Sequence, residues 1–379
     1  MGDVVLQIPA KVIYGPDVFH RAAVETSRFG HRVLVVTESS LEESELPQRL
    51  KKMLADRGLQ AIWFDDLPQG SGTSTVSKIV SLARASHSQV VIGLGGMRVS
   101  AIARCAAAGV MQGDNLQRML AGEVQPQSSL PYVEIATGYR NHWMLTDSVV
   151  ITEQARRGAR LYHLPEGAVR AVLFDPKLPQ SLSSKHALAT MMDMLLAACE
   201  GYLSSRSSFL SDTLFLRSID TLKETMDVTL RHPSEPGKRG RASDAGLMCA
   251  VGLSMSSQGS GGALTYAINS RFRAPKAWVA AALLPHILDL HSELKPAKVA
   301  KIARALGEDI PGISNVDDAA QASTVARRLL GKLGLPGRLQ ELDLSLNGLA
   351  EAAAAAAELP LPGFASSQDE LYGICKQAF

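Results

Sequence analysis

Asp193 lies in a helical run of otherwise apolar residues, Met191-Met192-Asp193-Met194-Leu195-Leu196-Ala197-Ala198-Cys199, followed by Glu200 and Tyr202. A carboxylate on such a face needs a counter-cation. One turn further on, where a metal site would set a histidine, stands Ala197. A second run, Val90-Val91-Ile92-Gly93-Leu94-Gly95-Gly96-Met97-Arg98, has the small residues that let backbone N–H groups and a helix N-terminus approach a pyrophosphate. Within it Met97 puts a long side chain where close approach matters. Arg98 has two readings: a guanidinium that binds an anion bidentately, or one that fills the place of an absent phosphate and makes the loop self-sufficient. The second is expected.

The elements that must carry these residues change rhythm along the chain. Val33–Thr37, Ala61–Phe64, Val90–Leu94, Tyr132–Ala136, Ser148–Thr152 and Ala171–Phe174 read as strands, several continuously apolar as in a sheet covered on both faces. Helical segments near Leu46–Arg57 and Val76–Ser86 alternate with the first three, the mark of a parallel sheet. From about Ser181 onward only helical periods follow. The fold expected is an α/β N-terminal Rossmann-like domain with a mainly parallel sheet, residues 1–180, then an all-α C-terminal domain, residues 181–379. The linker falls near Asp175–Ser184. The Ala-rich stretch Glu351–Glu358 reads as a plain helix.

Composition excludes several classes. With 39 Lys and Arg against 37 Asp and Glu, the chain has no cationic excess for nucleic acid or an anionic membrane. Its one basic cluster, Arg231-His232 with Lys238-Arg239-Gly240-Arg241, reads as a solvated loop between helices. Cys105, Cys199, Cys249 and Cys375 form no CxxC pair and read as small core residues in a reducing compartment. No signal segment or long apolar span stands out, so a cytoplasmic protein is expected.

Other stretches share an order and spacing: Ile8–Gly15, Val33–Glu38, Phe174–Leu178, Leu283–His286 and Val299–Gly307. Together with Asp193, Glu200 and Tyr202, they resemble the iron-containing (group III) alcohol dehydrogenases of the dehydroquinate synthase-like superfamily over nearly the whole chain. The resemblance implies a divalent metal held by an Asp and three histidines. Those histidine positions fall on Ala197, Gly262 and Lys276, and none of the nine histidines takes their place. Asp193 alone remains of the ligand set, so the chain reads as a degenerate member, with no iron or zinc expected. Lys276 offers a substitute for the metal's charge, in an ion pair with Asp193. The plain alternative is a surface lysine after Pro275. Tyr266 falls where the family has a His close to the nicotinamide, and a Tyr assisted by a Lys can protonate a carbonyl.

For the cofactor loop the resemblance implies Gly at Met97, Ser at Arg98, Asp at Ala101 and Lys at Arg104. The companion run Ile135–Met144 includes Thr137, but Tyr139, Arg140, His142 and Trp143 bring bulk where a small-residue turn is implied, and plugging of the old cleft is expected. Glu38 suits a ribose diol and would repel a 2′-phosphate, and Gly70-Ser71-Gly72-Thr73 suits an adenine-side loop. Glu38, Gly95, Gly96, Arg98 and Thr137 are thus the candidate cofactor residues, with NAD the remaining candidate cofactor. The function expected is that of a pseudoenzyme, a binding, assembly or regulatory protein with a protein partner, homo-oligomeric as the family resemblance implies. The alternative is an NAD(P)-dependent oxidoreductase acting on an alcohol or aldehyde, metal-independent through Tyr266 and Lys276.

Overall fold

Short runs of Val, Ile and Leu form the strands of the first half: β1 (Lys11–Tyr14), β2 (Arg32–Val36), β3 (Gln60–Phe64), β4 (Val90–Gly95), β5 (Tyr132–Ala136), β6 (Ser148–Glu153), β7 (Gly158–His163) and β8 (Val169–Phe174). The helices of this half are α1 (Ala22–Thr26), α2 (Leu46–Asp56), α3 (Thr73–Ala85), α4 (Met97–Val110) and α5 (Leu116–Leu120). The computed structural model describes residues 4–41, 44–67, 70, 72–153, 157–307, 315–363 and 365–379. Ser71 of the Gly70–Thr73 run lies outside the described residues. The chain divides into two compact units, one formed by Ile8–Ala155 and Arg160–Ser181, the other chiefly by Leu182–Phe379.

Six strands make one sheet in the order β1-β8-β5-β4-β2-β3, and each neighbouring pair is parallel. Every residue of β4 and β5 is buried, which is why these strands read as apolar without alternation. Val33 pairs with Val90, and Gly95 with Ala136, so the C-terminal ends of β2, β4 and β5 lie side by side. Ligand loops of open parallel sheets gather at that edge. Three strands depart from expectation, β7 among them, since no strand is expected over Gly158–His163. β1 is a four-residue edge strand whose pattern is too short to show a period, and Ser148–Thr152 leaves the main sheet to pair with β7 in a separate two-stranded one.

The second unit is helical: α6 (Ser184–Leu203), α7 (Phe209–Arg231), α8 (Arg241–Met255), α9 (Ser260–Phe272), α10 (Lys276–Leu294), α11 (Pro296–Ala305), α12 (Asn315–Leu333), α13 (Leu346–Ala357) and α14 (Gln368–Ala378). α6 starts where the Ser183 hydroxyl accepts from the His186 N–H, and from Ala187 onward each of its residues is buried. Lys298 Nζ donates to the Tyr202 carbonyl at 2.7 Å, satisfying one orphan acceptor at its C-terminus. Phe215 of α7 sits in a notch made by two glycines: a Cβ at Gly201 or Gly252 would lie 2.3 or 2.6 Å from its ring.

The basic cluster does join two helices, but it is not simply solvated. Arg239 is buried and donates to the carbonyls of Leu182 and Pro233 and to Ser184 Oγ. It ties the loop to the start of α6. All four cysteines are free and buried. Burial pushes the thiols of Cys105, Cys249 and Cys375 up to about 12, so none is a ready nucleophile. Among the described residues no helix is long and apolar enough to cross a membrane.

Candidate functional site

In the α/β unit, the β4–α4 turn brings the glycines to distinct tasks. A Cβ at Gly93 would lie 2.2 Å from Tyr132 Oη, and one at Gly95 would lie 2.4 Å from Val99 Cγ2. Both serve packing. At Gly96 a Cβ would meet nothing within 4 Å, and the same holds at Gly138. Room for a phosphate beside the backbone therefore persists at the N-terminus of α4. The end of β4 is pinned on both sides: Thr37 Oγ1 donates to Leu94 O at 2.9 Å, and the Thr137 N–H donates to Gly95 O at 3.1 Å. Arg98, second residue of α4, places Nη2 at 2.6 Å from Oε2 of Glu38, just beyond β2. Three of the five candidate cofactor residues, Gly95, Gly96 and Arg98, thus line one turn, with Glu38 and Thr137 on the flanking strands' ends.

Tyr139, His142 and Trp143 are buried rather than displayed as a surface. A polar network missed by sequence reasoning holds their loop. Glu134 of β5 accepts from Ser100 Oγ at 2.8 Å and from Asn141 Nδ2 at 2.5 Å. Arg104, 2% exposed, donates to Trp143 O at 2.8 Å and to Thr146 O. One signal was visible in the sequence: a glutamate in the middle of a strand buried on both faces must have partners. Elsewhere in this unit, Glu153 accepts from Thr73 Oγ1 at 2.7 Å at the start of α3. A carboxylate therefore already stands against Gly72 and Thr73, two residues of the run read as an adenine-side loop.

Burial pushes the Glu134 carboxyl above the ordinary glutamate range, against the pull of Arg104 and of the bonds from Ser100 and Asn141. A carboxyl raised in the folded state contributes fully below its unfolded value and loses that contribution as pH rises through the folded one. Glu134→Gln cannot ionise. Its thermal midpoint, measured from about pH 4 to pH 7, is therefore expected to improve relative to the native protein as pH rises; a flat or shrinking difference would contradict the raised value.

In the helical unit, Asp193, Ala197 and Glu200 lie along one face of α6, at i, i+4 and i+7. All three are buried. Lys276 opens α10 and is buried as well, its Nζ 3.7 Å from Asp193 Oδ2. This is an ion-pair distance rather than that of a direct hydrogen bond. The same ammonium lies 4.0 Å from the centroid of the Tyr266 ring, in the geometry of a cation on an aromatic face. The surface-lysine alternative for Lys276 is thereby corrected: Pro275 is the cap before α10, and the Lys276 side chain is buried. Glu200 takes a different role from a ligand. Its carboxylate accepts from the N–H groups of Gly261 and Gly262 at 2.6 and 2.9 Å, and so satisfies donors at the start of α9. Burial pushes its carboxyl up, with these bonds and Lys276 pulling back.

The donor set does not fit a divalent metal. One carboxylate faces an ammonium, Ala197 offers no donor, and a Cβ at Gly262 would lie 2.8 Å from that of Gln258, so the space for an imidazole is taken. Among the described residues no group of three or more His, Cys, Asp or Glu could hold a metal ion.

Comparison with known proteins covers both units. The family model described as iron-containing alcohol dehydrogenase matches residues 9–176, and that of the Fe-containing alcohol dehydrogenase family, C-terminal, matches residues 187–377. Maleylacetate reductase of Sphingobium indicum is 24% identical over 360 residues, 94% of this chain and 91% of that one. Alcohol dehydrogenase 4 of Saccharomyces cerevisiae is 22% identical over 315 residues, 83% and 81% of the two chains. The crystal structure of a 1,3-propanediol oxidoreductase superposes with a TM-score of 0.89 at 20% identity, covering 100% of both chains.

Proposed function

The chain belongs to the iron-containing alcohol dehydrogenase family, whose matches point to oxidoreductases of the alcohol dehydrogenase type, and we propose that this member does not work through a metal ion. It serves as a binding, assembly or regulatory protein on the dehydrogenase scaffold, self-associating and acting with a protein partner. The observation that carries this reading is the buried Asp193–Lys276 pair. A divalent ion would both neutralise the carboxylate and offer an open position to an alcohol oxygen. An ammonium does only the first. It also repels any second cation, so the carboxylate left in place has no use as a ligand.

A second reading is favoured by one further contact. Lys276 next to Tyr266 suits an NAD(P)-dependent oxidoreductase acting on an alcohol or aldehyde without metal, Tyr266 giving the proton. The ammonium lies over the ring's face rather than at the hydroxyl, which suits holding the lysine better than activating the phenol. For that reason it ranks second.

Elemental analysis of the purified protein is expected to find iron and zinc well below one per chain. Alcohol oxidation and aldehyde reduction, assayed with both nicotinamide dinucleotides, should show no stimulation by added Fe²⁺ or Zn²⁺. One tightly held metal per chain, or turnover that depends on metal, would sink the proposal. Turnover without metal that disappears in Tyr266→Phe would move the second reading to first place.

A further inference from the structure

We infer that the cations gathered around the buried Glu25 form a docking surface for an acidic segment of a partner protein. The inference rests on the protein-partner role proposed above and deepens it by naming where the partner sits and which charges it brings. The Glu25 side chain in α1 is 2% exposed, and three cations converge on its carboxylate. Lys11 Nζ, at the start of β1, donates to Oε1 at 2.9 Å and to Oε2 at 3.1 Å. Arg21 Nη2 stands 3.3 Å from Oε1, and Arg28 Nη1 3.3 Å from Oε2. A fourth cation, Arg57 at the end of α2, donates from Nε to Ser27 Oγ at 3.4 Å, beside Arg28 in the chain. Among the described residues no other acid pairs with any of the four.

One carboxylate offsets one positive charge, so a local excess remains in a chain whose totals, 39 Lys and Arg against 37 Asp and Glu, nearly cancel. The anion is the buried member of the group. The side chains of Lys11, Arg21 and Arg28 are 45%, 43% and 54% exposed, so an approaching partner meets the cations and not the carboxylate that gathers them. Like charges held on one carboxylate repel one another, and an arriving anion relieves that repulsion. Each guanidinium spends a contact on Glu25 and keeps further N–H donors in a fork that matches a second carboxylate. The pairs with Glu25 already hold the long side chains in place, so less freedom is lost on binding. Nucleic acid fits less well. It calls for a broad basic stripe along its backbone, whereas a few side chains around one short helix match a few clustered Asp or Glu.

The test is fluorescence anisotropy of a labelled hexaglutamate peptide titrated with the full chain at low ionic strength, beside a hexaglutamine peptide and a single-stranded oligonucleotide of equal charge. The acidic peptide should bind most tightly of the three, and its affinity should fall as salt is added. Arg21→Gln and Arg28→Gln leave Lys11 on Glu25, and together they should weaken binding by about tenfold. Arg28→Gln alone, which disturbs the fold least, should weaken it by about threefold. Lys238→Gln, which removes an exposed cation of the helical unit, should leave binding unchanged. Circular dichroism of each variant checks that the fold is kept. No binding of hexaglutamate, equal or tighter binding of the oligonucleotide, or an affinity that Arg28→Gln moves no more than Lys238→Gln overturns the inference. The metal-free reading fails on a separate observation, stoichiometric iron or zinc, so the two failures cannot be confused.

Discussion

Lys276→Met is expected to destabilise the helical unit by about 3–5 kcal/mol, read from urea unfolding, because it takes the ammonium counter-charge from the buried Asp193 carboxylate. Asp193 is 1% exposed and cannot turn to solvent. Methionine nearly matches the lysine stem in volume, so packing is little disturbed and the loss reports on charge. A companion variant separates the two terms. Asp193→Asn in the Lys276→Met background removes the carboxylate's charge and should recover a large part of the loss. Recovery will be incomplete, since Lys276 also pulls on Glu200. If Lys276→Met unfolds within about 0.5 kcal/mol of the native protein, the ammonium is not the carboxylate's counter-charge.

A loss of similar size, about 3–5 kcal/mol, is expected for Arg104→Met in the α/β unit. Burial disfavours the charge on Arg104, while Glu134 nearby favours it. Removing the guanidinium also frees the carbonyls of Trp143 and Thr146. The segment from Tyr139 to Thr146 should then exchange its amide hydrogens faster and be cut earlier by a protease. That local effect distinguishes the role from general packing. A variant in which exchange rises evenly through the unit, with no excess in this segment, would show that Arg104 does not hold the loop.

The fold was largely legible along the chain because its main strands are buried on both faces and its helices carry long apolar periods. Val90–Leu94 and Tyr132–Ala136 announced themselves as continuous apolar runs. Lys11–Tyr14 did not, since a four-residue edge strand with one buried position leaves no pattern to read. Ser148–Thr152 read correctly as a strand, yet nothing local says which sheet a strand joins. Its partner β7 follows almost directly in the chain, but the mostly half-exposed run Gly158–His163 carries no apolar pattern to announce it.

The candidate site divides in the same way. That Ala197, Gly262 and Lys276 stand where the family resemblance implies histidines is a matter of residue identity, legible in the sequence alone. The sequence also named Lys276 as the cation for Asp193, because a carboxylate on an apolar helix allows few alternatives. What only the tertiary structure decided is how the remaining charges are shared. Glu38 and Arg98 are 60 residues apart and meet at 2.6 Å, Glu134 gathers Ser100 and Asn141, and Glu200 turns from a ligand's neighbour into the acceptor for α9. The reason is physical. Burial demands a partner for each charge, a rule visible in one residue's surroundings, but the partner is chosen by which chain ends the sheet and the helices bring within reach.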